Sequence, residues 1–258
     1  MPDRHERDLQ AEYYTRTARL YDDLHVSEGD EHGEALELIA LFAHRMGARR
    51  ILDVGAGTGR AIAFLGARGF DVIGIEPVEA LRAQAIAKGI PADRIVELDW
   101  NESARLGDLT LVCTPARHFS GRFLTRNTTL WSSWALIGPR HRAFFGGDTG
   151  YTKSFADIGA DHGPFDITLM PVGAYHPGWP DLHMNPEDAV RAHRDVSDAG
   201  LLVPIHWGTF RLAPHPWSEP VERTLVAADA EAVRVAIPRP VQRVEAGPTS
   251  DLDPWWRS

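Results

Sequence analysis

The sequence predicts an α/β protein with a mixed sheet, and three observations predict it. Arg50-Ile51-Leu52-Asp53-Val54 reads as a strand that feeds a glycine loop, a helix and a second strand. Several later apolar runs are too short for helices and stop at Gly, Pro or a ligand-type side chain. Asn185-Pro186-Glu187-Asp188 opens a helix with a capping residue, a proline at the first position and two acids in the first turn. Helices alternating with short strands place functional groups at the strand tips.

The totals set the bounds. With 258 residues, the chain has room for one large domain or two small ones. Hydrophobic residues make up 43% and charged residues 24%, ordinary for a globular protein. A formal charge of -9 argues against general nucleic-acid binding. The single cysteine, Cys113, sits in an apolar run, which excludes a disulfide framework and fits a reducing compartment. The first residues, Met-Pro-Asp-Arg-His-Glu-Arg-Asp, lack the apolar core of a signal peptide, and no run reaches the roughly 18 apolar residues of a membrane span. The expected location is cytoplasmic.

In chain order, residues 11–24 read as an aromatic and polar helix. Residues 34–46 repeat Ala35, Leu36, Ile39, Phe42, Ala43 and Met46 at helical spacing, and Gly47 stops them. After the strand at 50–54, the loop Gly55-Ala56-Gly57-Thr58-Gly59 leads into a helix from Ala61 to Ala67. The second strand, 70–75, ends at Glu76, and a further helix runs from about Val78 to Lys88. Small residues let a loop pass close to a ligand, and an acid at a strand tip accepts hydrogen bonds from ribose hydroxyls. Glu76 lies 21 residues after Gly55, near the usual spacing of about 20. The glycine pattern is G-x-G-x-G behind Asp53, with Arg60 in the slot of the last NAD-type glycine, which tilts the site towards S-adenosylmethionine.

Residues 89–99 fit either neighbour, and no Gly/Ser-rich linker marks a boundary. Beyond them, strands are expected at 109–113, 130–137, 142–146, 166–170 and 201–206. The run from Ala143 reads as a buried strand that stops at Gly146-Gly147 and presents Asp148. His118 and His206 each follow another such strand. A lone histidine among twelve is usually just hydrogen-bonded, but three metal-type ligands past three strand tips would cluster at one sheet edge. The helix opened by Asn185 turns Ala189, Val190, His193 and Val196 inward and ends at Gly200.

The first stretch resembles the start of a class I S-adenosylmethionine-dependent methyltransferase. Asp53, Gly55, Gly57 and Gly59 match its first motif and Glu76 its second, and residues 21–25 and 29–32 are similar to the segment before them. The likeness covers roughly residues 11–98, and the resemblance implies S-adenosylmethionine as cofactor, with those five residues binding it. The family's later substrate-side motifs have no counterpart.

From about residue 91 onward the chain resembles the metallo-β-lactamase fold, an αββα architecture, and within it hydrolases similar to N-acylphosphatidylethanolamine phospholipase D. The segments 113–120, 130–134, 145–151, 163–166, 171–175, 183–187 and 205–210 carry that likeness. It implies a binuclear zinc site in which His118 binds one ion, Asp148 bridges both and His206 binds the second. A hydroxide between them would attack a phosphodiester, with Tyr175 and His183 at the substrate mouth. The family's remaining ligands come from an H-x-H-x-D-H motif, and none of His5, His25, His32 or His44 has that spacing. The expected architecture is therefore a partial Rossmann-like β-α-β unit over 1–90, followed by half of a metallo-β-lactamase fold over 91–258. The expected substrate is a small molecule or phospholipid. Exposed apolar surface and unpaired strand edges predict self-association.

Overall fold

The computed structural model describes residues 22, 30–76, 78–118, 121–122, 125–126, 131–208, 212–240, 242–247 and 253–257. Except for residue 22, the helix expected over 11–24 and the segment at 21–25 lie outside these residues, as does residue 29 of the segment at 29–32. The chain divides into two compact units, Met1–Asp99 with Gly121–Leu130 and Trp100–Ser120 with Trp131–Ser258.

The first unit holds helix α1 (Glu31–Arg45), strand β1 (Arg50–Val54), helix α2 (Arg60–Gly66), strand β2 (Asp71–Ile75), helix α3 (Glu79–Ala87) and strand β3 (Ile95–Val96). The three strands are parallel, in the order β1-β2-β3. Residues 95–96, which the sequence left open, thus pair with this first sheet. Asp30 caps α1, its carboxylate accepting the Gly33 N–H at 2.7 Å. Leu36, Ile62, Leu65, Phe70, Val72 and Ile95 form the core of this unit. Of the apolar positions that recur with Leu36 at helical spacing, Ile39 and Met46 are exposed, as are Leu38 and Leu41. The buried stripe of α1 is only Leu36 and Ala40 wide.

The second unit is built on a seven-stranded mixed sheet. Its strands are β4 (Ser103–Leu106), β5 (Leu109–Pro115), β8 (Ser132–Ile137), β9 (Arg142–Phe145), β10 (Ile167–Pro171), β11 (Leu201–Ile205) and β12 (Arg234–Val235). Between β5 and β8, the two-residue strands β6 (Gly121–Arg122) and β7 (Thr125–Arg126) pair with each other and fall in the first unit. The sheet order is β12-β11-β10-β9-β8-β5-β4. Strands β9 to β12 are parallel, while β8 runs against β9 and β5 runs against β8. It follows that β5, β9, β10 and β11 all end at the same edge.

Helices α4 (Ser154–His162), α5 (Pro186–Val196) and α6 (Glu219–Ala230) belong to the same unit. They bury Phe155, Ile158, Ala189, Val190 and Val221 with Val112, Phe144, Met170 and Leu202 of the sheet. Asn185 caps α5 as expected, accepting the Asp188 N–H at 2.8 Å. The helix stops at Val196 rather than Gly200, because Ser197 turns extended and its hydroxyl bonds the Phe165 carbonyl at 2.5 Å. Strand β9 is less buried than its apolar run implied, since Phe144 is fully enclosed but Phe145 is exposed. Near the C-terminus, Trp256 is buried and its indole N–H donates to Glu222 at 2.8 Å.

Candidate metal centre

Four loops leave the common edge of the large sheet, and each carries one candidate ligand. His118 lies three residues past β5, Asp148 three past β9, His206 directly after β11, and His183 in the long loop after β10. The sheet directions alone bring these loops together.

His206 Nε2 lies 3.4 Å from Asp148 Oδ1. That is long for a hydrogen bond, but two donors bound to one zinc ion at tetrahedral angles stand roughly 3.3 Å apart. The His183 ring sits between the other two imidazoles, with centroids 5.0 Å from His118 and 5.1 Å from His206. The buried Nδ1 atoms of His183 and His206 have no hydrogen-bond partner. Burial, then the adjacent imidazoles of His118 and His206, push the His183 pKa down to about 4 against the opposite pull of Asp148. Among the described residues no group of three or more His, Cys, Asp or Glu side chains is arranged so that it could hold a metal ion.

Backbone geometry at two glycines makes the approach possible. Gly147 has φ +64°, and a Cβ there would stand 2.6 Å from the Ser132 carbonyl oxygen. At Gly173 a Cβ would meet the His206 carbonyl oxygen at 2.2 Å. His206 itself holds φ +61°, a left-handed conformation uncommon for a residue with a side chain. Backbone strain of this kind concentrates at functional positions.

Sequence reasoning missed Thr149. It is fully buried, and its hydroxyl accepts the Arg117 N–H at 2.9 Å while donating to the Gly150 carbonyl at 2.8 Å. Its carbonyl accepts the Met184 N–H at 3.0 Å, and the Arg117 carbonyl accepts the Gly150 N–H at 2.6 Å. Each of these bonds falls one or two residues from His118, Asp148 or His183. A small hydroxyl residue directly after the candidate Asp was the available signal.

Tyr175 lies apart from the imidazole cluster. It lines a cavity of about 590 Å³ whose wall also includes His183, His215, Glu219 and Arg223. Its O–H donates to Glu219 Oε1 at 2.6 Å, and its ring stacks on His215 at 4.6 Å. Burial and the Glu219 bond push the phenol up to about 12. Of the two residues assigned to the substrate mouth, the structure brings His183 among the ligand-type residues and leaves Tyr175 beside them on the cavity wall.

In the first unit, Gly55, Gly57 and Gly59 all have positive φ, as a tight loop between β1 and α2 requires. Glu76 is buried, with Oε2 accepting the Gly57 N–H at 2.8 Å and Oε1 the Val78 N–H at 2.9 Å. Its carboxylate thus ties the loop to the tip of β2, and both oxygens already have backbone partners. Burial raises the pKa of both Asp53 and Glu76.

A family profile described as a beta-lactamase superfamily domain matches residues 62–207, more than half of the chain. The chain belongs to the beta-lactamase superfamily. This match begins inside the stretch that resembles a methyltransferase. The Mycobacterium tuberculosis protein named "Uncharacterized protein Rv0906" is 71% identical over 171 residues, 66% of this chain and 46% of its own length. N-acyl-phosphatidylethanolamine-hydrolyzing phospholipase D 1 of Caenorhabditis elegans is 42% identical over 134 residues, 48% of this chain and 37% of its length. The chain thus spans about half the length, or less, of these relatives. Igni18, a metallo hydrolase from Ignicoccus hospitalis, superposes with a TM-score of 0.56 at 20% identity, covering 76% of this chain and 78% of its own. Together these show an α/β metallo-β-lactamase superfamily fold with a mixed sheet.

The donor set suits the metal that the fold implies. Imidazoles with one carboxylate are borderline ligands of the kind zinc and iron take. The buried Nδ1 of His183, without a hydrogen-bond partner, matches a site that a cation completes. What the sequence does not offer is the H-x-H-x-D-H half of a two-ion site.

Proposed function

We propose that the chain carries a metal-dependent hydrolytic site of the phosphodiesterase type, similar to phospholipase D, with an incomplete ligand set. His118, Asp148 and His206 hold the metal, for which zinc is our choice. The observation that carries this reading is the 3.4 Å separation of His206 Nε2 and Asp148 Oδ1 at the shared sheet edge. The C. elegans relative's name supports a phospholipid-like substrate.

A bound divalent ion supplies Lewis acidity at a phosphoryl oxygen. The chain's residues do the rest. The cavity beside His183 receives the group attached to the phosphodiester. Tyr175 keeps its proton at neutral pH and holds Glu219 against that wall. His183 stays neutral well below pH 7, so it offers one N–H and one lone pair to a ligand. Hydrolysis of N-acylphosphatidylethanolamine and of a simple aryl phosphodiester, before and after chelation, tests the reading. Turnover that chelation and His206→Ala both abolish supports it, and turnover indifferent to both refutes it.

A second reading concerns residues 1–90. The three left-handed glycines beside a buried strand-tip acid favour an S-adenosylmethionine-binding segment, built on Asp53, Gly55, Gly57, Gly59 and Glu76 and joined to 91–258. Calorimetry with S-adenosylmethionine checks it, and heat that Glu76→Ala does not reduce counts against it. No helix among the described residues is long and apolar enough to cross a membrane. The exposed Leu38, Ile39, Leu41 and Met46 of α1 support self-association, which size-exclusion chromatography reads.

A further inference from the structure

We infer that two copies of the chain pair through α1, antiparallel about a two-fold axis, along the row Glu34, Leu38, Leu41 and Arg45. This rests on the self-association reading above and names its surface and its geometry.

The first argument is the face. Helix α1 runs for 15 residues, and its buried stripe, Leu36 and Ala40, packs into the core of the first unit. Away from that stripe Leu38 is 50% exposed, Ile39 46%, Leu41 48% and Met46 67%. At about 100° per residue these four, with the partly buried Phe42, fall within about 160° of the helix surface. An exposed apolar band this wide, rimmed by charge, marks an interaction surface.

The second argument selects the occupant. Glu34, Leu38, Leu41 and Arg45 are spaced by four, three and four residues, so they form one row along the helix. Alternating steps of three and four are also the spacing that lets two helices interlock. The row opens on an acid, closes on a base and has two leucines between them. It therefore complements itself when turned end for end. An antiparallel copy sets Leu38 against Leu41 of the second copy and Glu34 against Arg45 of the second copy, and the two-fold axis repeats each pair. Parallel pairing would instead set like charges together at both ends. The two charges are also available. Both are exposed, and neither has an ion-pair partner among the described residues, whereas Glu37 is held by Arg68 at 2.6 Å.

The test is sedimentation equilibrium of the full chain over a range of concentrations, with circular dichroism reporting that each variant folds. The expected result is a monomer–dimer equilibrium. Leu41→Asp should raise the dimer dissociation constant more than about 30-fold, as loss of a central anchor from both copies does. Glu34→Arg and Arg45→Glu change only exposed side chains, and each should weaken its own homodimer roughly 10-fold. Mixed one to one, these two variants should form a heterodimer tighter than either homodimer, because opposite charges then meet at both ends. Glu34→Arg combined with Arg45→Glu in one chain should regain the affinity of the unmutated dimer. A dimer that all these variants leave unchanged overturns this surface and leaves self-association standing. Weakened homodimers with no gain on mixing or in the double variant overturn the antiparallel pairing. A monomer at every concentration overturns both, and flotation of that monomer with phosphatidylcholine vesicles, lost in Leu41→Asp, would give the face to a lipid surface instead.

Discussion

The Arg117 N–H donates to the buried hydroxyl of Thr149 at 2.9 Å. This bond joins the loop after β5, which carries His118, to the loop after β9, which carries Asp148. The Thr149 carbonyl adds the third loop through Met184. Thr149 thus ties together the three loops that carry His118, Asp148 and His183.

Thr149→Val keeps the shape and removes the hydroxyl, leaving the Arg117 N–H and Gly150 carbonyl without that partner. We expect a loss of about 1–3 kcal/mol in stability and weaker zinc binding, with Thr149→Ser recovering most of both. Thermal unfolding and zinc titration of the pair check this. Equal behaviour of the Val and Ser variants would contradict it.

His206 holds its left-handed backbone at a cost that glycine does not bear. His206→Gly should unfold at the same temperature as the unmutated chelated protein or slightly higher, yet bind zinc far more weakly. A clear drop in unfolding temperature would show that His206 is chiefly a packing residue.

Gly173→Ala should act on the same point from the other side. Its Cβ would press on the His206 carbonyl oxygen at 2.2 Å, and backbone on both sides leaves little room to relax. We expect a loss of more than about 1 kcal/mol, within the overpacking range. A stability unchanged by the substitution would mean that the two loops move apart freely.

His193 gives the pH dependence. It is buried with Nδ1 2.7 Å from the Thr168 hydroxyl. Burial, then Arg234 and Arg194, push its pKa down to about 4, against Asp198. The unfolded chain binds this proton near pH 6.5, so the unfolded state takes up more protons between about 6.5 and 4. Its contribution to stability is therefore full above about pH 6.5 and declines as pH falls to about 4, by at most about 3 kcal/mol. Urea unfolding at pH 7.5 and 5 should show a smaller pH effect in His193→Gln than in the unmutated chain. Identical slopes would contradict the assignment.

Much of the second unit was legible because its strands are short apolar runs ending at glycine, proline or a ligand-type residue. The expected strand at 109–113 is β5 with two further residues, and 201–206 is β11 less its last. His118, Asp148 and His206 could be placed at one edge because strand tips are visible in sequence. Thr149 and the position of His183 could not, since bonds between loops distant in sequence leave no periodic trace. Glu76 was legible in part. Its place at the strand tip was readable, but not that the Gly57 and Val78 amides take its carboxylate. Exposure of Ile39 and Met46 also escaped, because helical spacing records which residues share a face and not how much of that face is covered.

The central claim is that His118, Asp148 and His206 hold a metal together. A crystal grown with zinc, with anomalous data collected at the zinc edge, tests it most directly. The account predicts a peak at about 2.0–2.2 Å from His206 Nε2 and an Asp148 oxygen, with His118 in the same shell. A peak elsewhere on the molecule, or none near these three residues, would contradict it.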